Sequence, residues 1–226
     1  MATKPMTDFP STTLQPKACP GMASFEVTHP TLGFNLKVAQ GVVRLTLLRP
    51  MDMTEFMPAL KTALCFVTIC TLAAEHAGIV VHSSATEASG RAHLLSGPHG
   101  QGKSTTADYL GKQRKLADDI SFILEDGQGG LVCGGLTRAE TRVLPLGSIN
   151  FLRRGERSAV GPVLSVAQAY KSLFQRTVMW PELLPDVQAI EAFILRVASA
   201  VPCRELAVNL ADISRDLLFP PERGLS

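Results

Sequence analysis

Residues 78–106 read "GIVVHSSATEASGRAHLLSGPHGQGKSTT". Gly97 and Gly102 stand five apart, and Lys103 and Ser104 follow at once. That is the G-x-x-x-x-G-K-[ST] spacing of a phosphate-binding loop. The flanks support it. "GIVVHSSATEA" predicts a strand, Ser89-Gly90 a turn, and "RAHLLSG" a second strand running into the loop. "KSTTADYLGKQ" predicts the helix that follows, weakened or ended by Gly111. In such a loop, glycines let backbone N–H groups turn toward phosphate oxygens, and the helix start adds its positive dipole end. Lys103 is placed to reach the β- and γ-phosphates, and Ser104 to offer its hydroxyl to Mg²⁺. His99, inside the loop, reads as an exposed variable position.

Downstream, "KLADD" predicts a short strand with Asp118 and Asp119 at its end, fifteen and sixteen residues after Lys103. One carboxylate can hold Mg²⁺ and the other accept a proton from a hydroxyl nucleophile. Neighbouring strand residues point to opposite faces, so the backbone must twist for both to face the loop. His82 ends the apolar run "GIVV", and a hairpin over Val80–Ser96 carries it back toward the loop. "ISFILED" continues extended, "GQGG" turns, and "LVCGGL" forms another strand.

Outside this core, "FNLKVAQGVVRLTLL" (residues 34–48) alternates on each side of Gln40-Gly41, as a β-hairpin does. "FMPALKTALCFVTICTLAA" (residues 56–74) is apolar all round. Pro58, Lys61 and three threonines favour a core helix over a membrane span. "SVAQAYKSLFQ" and "VQAIEAFILRVASA" predict helices separated by Pro181 and Pro185; "CRELAVN" predicts a late strand and "ADISRDLLF" a last helix. Trp180 and Tyr170 are expected to pack the helical part rather than stack a base. Strands dominate to about residue 150, so the expected class is α/β or α+β around a mixed sheet. Residues 1–30, rich in Pro, Thr and Ser, read as a flexible leader without a secretory signal, and 31–226 as one domain.

A net charge of +2 gives no field for nucleic acid. The five cysteines are scattered, without a Cys-x-x-Cys, and read as reduced thiols of a cytoplasmic protein. No partner membrane is expected, and assembly with like chains is left open.

"VHSSATEASGRAHLLSGPHGQGKSTT" with "KLADDISFI" resembles the kinase core of the HPr kinase/phosphorylase family, and more closely its short HPr-kinase-related proteins. The likeness extends over about residues 35–220, with its specific motifs in 82–119. It implies a mixed-sheet P-loop kinase fold shared with ATP-dependent phosphoenolpyruvate carboxykinases. It further implies that Gly97, Gly100, Gln101, Gly102, Lys103, Ser104 and Thr105 hold ATP and Mg²⁺. Asp118 would be the general base or the proton shuttle, Asp119 would join Ser104 in the metal shell, and His82 would help to position the attacking group or the phosphate. The bifunctional enzymes carry Glu where this chain has Thr105, and a Glu-Leu-Arg-Gly-like run whose nearest counterpart here supplies Arg138, Glu140 and Arg142. The resemblance therefore implies an ATP- and Mg²⁺-dependent kinase acting on a hydroxyl of a peptide, protein or small metabolite. The alternative is a nucleotide-binding regulatory or partner protein without turnover. "NFLRRGER" (residues 150–157) reads as a solvated basic loop, with Arg153 and Arg154 as candidates for phosphate contact.

Overall fold

The computed structural model describes residues 13–14, 25–29, 33–39, 42–49, 52–75, 78–135, 142–179 and 187–213. Gln40-Gly41, Arg138, Glu140, Trp180, Pro181, Pro185 and most of the predicted last helix lie outside them. Contacts divide the chain into two units, Met1–His76 with Glu182–Pro185, and Ala77–Pro181 with Asp186–Ser226. The sequence reading treats 31–226 as one domain, whereas each unit has its own sheet.

The first unit holds β1 (Thr13–Leu14), β2 (Phe25–His29), β3 (Phe34–Ala39) and β4 (Val42–Leu47), in the order β1-β4-β3-β2. The expected hairpin is present, with Ala39 opposite Val42 and Phe34 opposite Leu47. Strand β2 corrects the leader reading. Phe25 and Val27 alternate with Glu26 and Thr28, and all five β2 residues pair with β3. The Pro- and Ser-rich surroundings mask that short alternation. Leu36 of β3 is fully buried. Helix α1 (Met53–Glu75) starts at Asp52, whose Oδ1 accepts from the Glu55 backbone N–H at 2.9 Å. A side-chain oxygen at this position satisfies one of the unpaired donors of the first turn. No helix among the described residues is long and apolar enough to cross a membrane.

The second unit begins with β5 (Gly78–Ala88) and β6 (Arg91–Ser96), joined by Ser89 and Gly90 at φ 50° and 70°. Two successive positive φ values make the tight turn that matches strand twist. Then come α2 (Lys103–Tyr109), a 3₁₀ turn (Lys112–Arg114), β7 (Lys115–Ala117), β8 (Ile120–Glu125) and β9 (Leu131–Gly135). The chain continues through β10 (Leu144–Arg154), β11 (Ala159–Val163), α3 (Val166–Phe174), α4 (Val187–Ala200) and β12 (Cys203–Val208). The sheet order is β11-β12-β10-β6-β5-β8-β9, with β7 against β5. Strand β10 runs parallel to β6 and to β12, and the remaining pairings are antiparallel. Strand β9 also meets the start of β10, Cys133 opposite Leu144. The class is α+β around a mixed sheet, with four α-helices among the described residues.

Ala107 of α2 and Leu110, the residue just after it, pack on Leu95, Leu152 and Leu206, one from each of β6, β10 and β12. Both Leu94 and Leu95 are fully buried, so this sheet is covered on its two faces. Ser165 caps α3 in a reciprocal box with Gln168, and Tyr170 stacks on Phe174 with centroids 5.9 Å apart. Cys65, Cys133 and Cys203 are buried free thiols, and burial pushes the Cys203 thiol up to about 11.

Two expectations fail here. Residues 150–154 are not loop but the last five of β10, and only the Gly155–Arg157 stretch leaves the sheet. The Arg-Arg-Gly-Glu-Arg run hides a strand whose Phe151 and Leu152 are both buried. Helix α2, by contrast, ends at Tyr109 just before Gly111, which takes φ 130°, so the glycine ends it as the sequence allowed. The stretch from Leu210 to Asp212, where the last helix was expected to start, is a turn.

Candidate functional site

The site lies within the second unit, where β6 ends. Gly100 and Gly102 adopt φ 76° and 81°, a left-handed region that side chains with a Cβ rarely enter. This turns the loop so that Gly102 O accepts from Thr106 N at 2.7 Å and α2 begins. Thr105 is exposed, and Ser104 and Gln101 are half-buried. The Gln101 carboxamide oxygen is buried without a hydrogen-bond partner among the described residues. Arg154 Nη2 donates to Gly100 O at 3.2 Å and so steadies the loop tip.

Lys103 departs from expectation. A lysine placed to reach bound phosphates reads as an exposed loop residue, yet this one is 6% exposed. Its ammonium donates to Gly97 O at 2.9 Å and to Pro98 O at 3.1 Å. The loop thus folds over its own lysine. Burial lowers the Lys103 pKa; the Asp119 charge opposes this and the Arg176 charge adds to it.

The paired aspartates sit between two pairings of one strand. Strand β7 meets β5 at Ala85 opposite Ala117, and β8 meets it at His82 opposite Ile120. Asp118 and Asp119 are caught between, and Asp119 O accepts from Ser83 N at 3.1 Å. Asp119 takes φ 74°. This is the backbone twist the sequence demanded, in a residue type that tolerates the left-handed region better than most. As a result the two carboxylates serve different neighbours. Asp118 Oδ1 accepts from Ser104 Oγ at 2.6 Å and lies 3.5 Å from Ser84 Oγ. Its Oδ2 is 2.9 Å from Lys115 Nζ, which also donates to Asp108 Oδ1 at 2.9 Å. Asp119 Oδ1 lies 3.0 Å from His82 Nε2. The β5–β6 hairpin brings His82 to the loop as expected, and Ser96 Oγ donates to His82 O at 3.0 Å.

Of the arginine candidates, Arg154 touches the loop. Arg153 is 3.5 Å from Glu205 and Arg142 3.2 Å from Glu87. Sequence reasoning missed two basic residues. Lys115 stands before "LADD" and was read only as the start of a strand. Arg176 follows α3, and its carbonyl accepts from His82 N at 2.9 Å. No local motif marks either one. Only the return from α2 into β7 and the pairing of residues 176–178 with β5 bring them in.

The donor set fits Mg²⁺ bound with a nucleotide. The Ser104 hydroxyl and an Asp118 carboxylate oxygen are hard oxygen ligands meeting at one point, and Mg²⁺ takes one or two carboxylates plus substrate phosphates. Among the described residues no three His, Cys, Asp or Glu side chains gather as a protein-only metal cage. Comparison of the sequence with models of known protein families and with curated proteins finds no match.

Proposed function

We propose that the second unit is an ATP- and Mg²⁺-dependent kinase that transfers the γ-phosphoryl group to a hydroxyl of a peptide, protein or small metabolite. One observation carries this reading. A phosphate-loop lysine, a Ser104–Asp118 contact at 2.6 Å and a His82–Asp119 pair at 3.0 Å meet at the end of one strand pair. A protein that only senses nucleotide has no use for the His–Asp pair. The resemblance to HPr kinase-like proteins, which implies the same mixed-sheet P-loop fold, supports it.

The loop amides and Lys103 would hold the phosphates, with Lys103 exchanging its two carbonyl partners for phosphate oxygens. Ser104 and Asp118 would hold Mg²⁺, which neutralises charge on the β- and γ-phosphates. The acceptor hydroxyl attacks phosphorus, the bond from phosphorus to the β,γ-bridging oxygen breaks, and ADP leaves. The hydroxyl proton passes to the His82–Asp119 pair. This division of labour reverses the first expectation for the two aspartates. Both Asp118 oxygens are engaged, by Ser104 and by Lys115, whereas Asp119 faces a titratable imidazole.

Transfer of labelled γ-phosphate, or slow ATP hydrolysis where no acceptor is known, tests the reading. Asp119→Asn is expected to lower turnover by about 10²–10⁴ with ATP binding retained. Asp118→Asn is expected to raise the Mg²⁺ concentration needed. Wild-type turnover in the double Asn variant sinks the mechanism. ATP binding without turnover on any hydroxyl acceptor moves the assignment to a nucleotide-binding regulatory protein.

A further inference from the structure

The segment that follows α3 is stitched to β5 residue by residue. Arg176 N donates to Leu173 O at 2.9 Å and closes the helix. Arg176 O then accepts from His82 N at 2.9 Å, Thr177 bridges Val81, and Val178 N donates to Val80 O at 2.8 Å. Thr177 Oγ1 donates back to Leu173 O at 3.0 Å. Arg176 is therefore fixed beside His82, the residue paired with Asp119.

Its side chain is half-buried, and among the described residues no carboxylate or carbonyl binds the guanidinium. By contrast Arg142, Arg153 and Arg196 each face a carboxylate. A partly desolvated guanidinium with no anion is costly, because its five donors lose water without replacement. Val81 pairs antiparallel with Thr177, so Arg176 stands opposite His82, and residues opposite each other in an antiparallel pair share a face. A guanidinium there suits an incoming anion.

We propose that Arg176 is a phosphate-binding residue that grips the terminal phosphate of ATP on the side facing His82 and Asp119. The inference rests on the kinase reading. It follows from position: Lys103 belongs to the loop, whereas Arg176 stands opposite His82 of β5, next to the groups that would accept the hydroxyl proton. The acceptor oxygen and the terminal phosphorus must meet there. A planar guanidinium presents paired donors to phosphate oxygens and stays charged throughout.

Calorimetry with Mg²⁺ and either ADP or the β,γ-imido analogue of ATP tests this in the full chain. Arg176→Ala is expected to weaken the analogue roughly tenfold or more and leave ADP unchanged, as the loss of a charge-assisted contact to one phosphate requires. Arg176→Gln, which keeps the stem and its packing, should give the same selectivity if the Ala variant folds poorly. Arg176→Lys should fall between, keeping charge without the paired donors. Equal losses for both nucleotides, or no loss for either, overturn the assignment. A wild-type chain that binds neither nucleotide overturns the phosphate-loop reading itself, and Arg176's role with it.

Discussion

Two lysines bracket α2, and both are almost fully buried. Lys103 at its start is 6% exposed and Lys115 past its end is 5% exposed. Their surroundings differ. Lys115 lies between the carboxylates of Asp108 and Asp118, each at 2.9 Å. Lys103 has two backbone carbonyls as hydrogen-bond partners and is held below the usual lysine pKa range, first by burial. A buried cation with two anions is a structural clamp; on the proposed kinase reading, one held only by neutral oxygens is a charge kept available for a ligand. Ammonium burial without an ion pair costs stability, and sites that bind anions accept that cost.

The comparison is broken most directly by replacing each lysine. Lys103→Ala is expected to lower ATP–Mg²⁺ affinity more than a hundredfold, with a stability loss of about 1 kcal/mol or less, since it gives up two neutral hydrogen bonds and a desolvated charge. Lys115→Met is expected to do the reverse. It should cost about 2 kcal/mol in denaturant unfolding, below the figure for a fully buried pair because Asp108 and Asp118 are 46% and 44% exposed and can rehydrate. Equal destabilisation by the two variants would remove the distinction.

A smaller effect sharpens it. ATP with Mg²⁺ should raise the melting temperature, because a ligand bound only by the folded state stabilises it, by about 2.7 kcal/mol at a hundred times Kd. EDTA should remove most of the gain in the wild type and little in Ser104→Ala, whose gain should already be reduced. A thermal shift indifferent to both changes would detach Ser104 and Asp118 from the metal.

The smallest effect concerns a titratable group away from the site. His93 of β6 donates through Nε2 to Ala88 O at 3.3 Å, so its Nδ1 accepts from Ser148 Oγ at 2.8 Å. Burial lowers its pKa below 6.5, the Ala88 hydrogen bond opposes this, and Arg91 adds to it. The folded chain therefore binds this proton less readily than the unfolded chain. Stability should fall as pH drops through about 6.5 and level off below the folded-state pKa. Unfolding curves of wild type and His93→Gln between pH 7.5 and 5 check the sign, and the variant should show the flatter dependence.

Much of the second unit was legible because its signals are short. The glycine loop before α2, the Ser89-Gly90 turn and the strand ending at Asp118 each occupy a few adjacent residues with demanding backbone needs. Even the twist at Asp119 follows from two neighbouring carboxylates having to share one direction. Strand β2 and the end of β10 were not legible. A Pro- and Ser-rich context hid one and a run of charges the other, and partner strands override such composition.

The sequence by itself determined the loop, its lysine and serine, the aspartate pair and the histidine that joins them, because glycine spacing and strand endings act locally. Tertiary structure decided the rest. It buried Lys103 against Gly97 and Pro98, gave Asp118 to Ser104 and Lys115, and gave Asp119 to His82. It also brought Arg176 from beyond α3 to the backbone of His82, 94 residues earlier in the chain. Contacts of that separation arise when sheet pairing closes a long loop, and no residue pattern near either end records it.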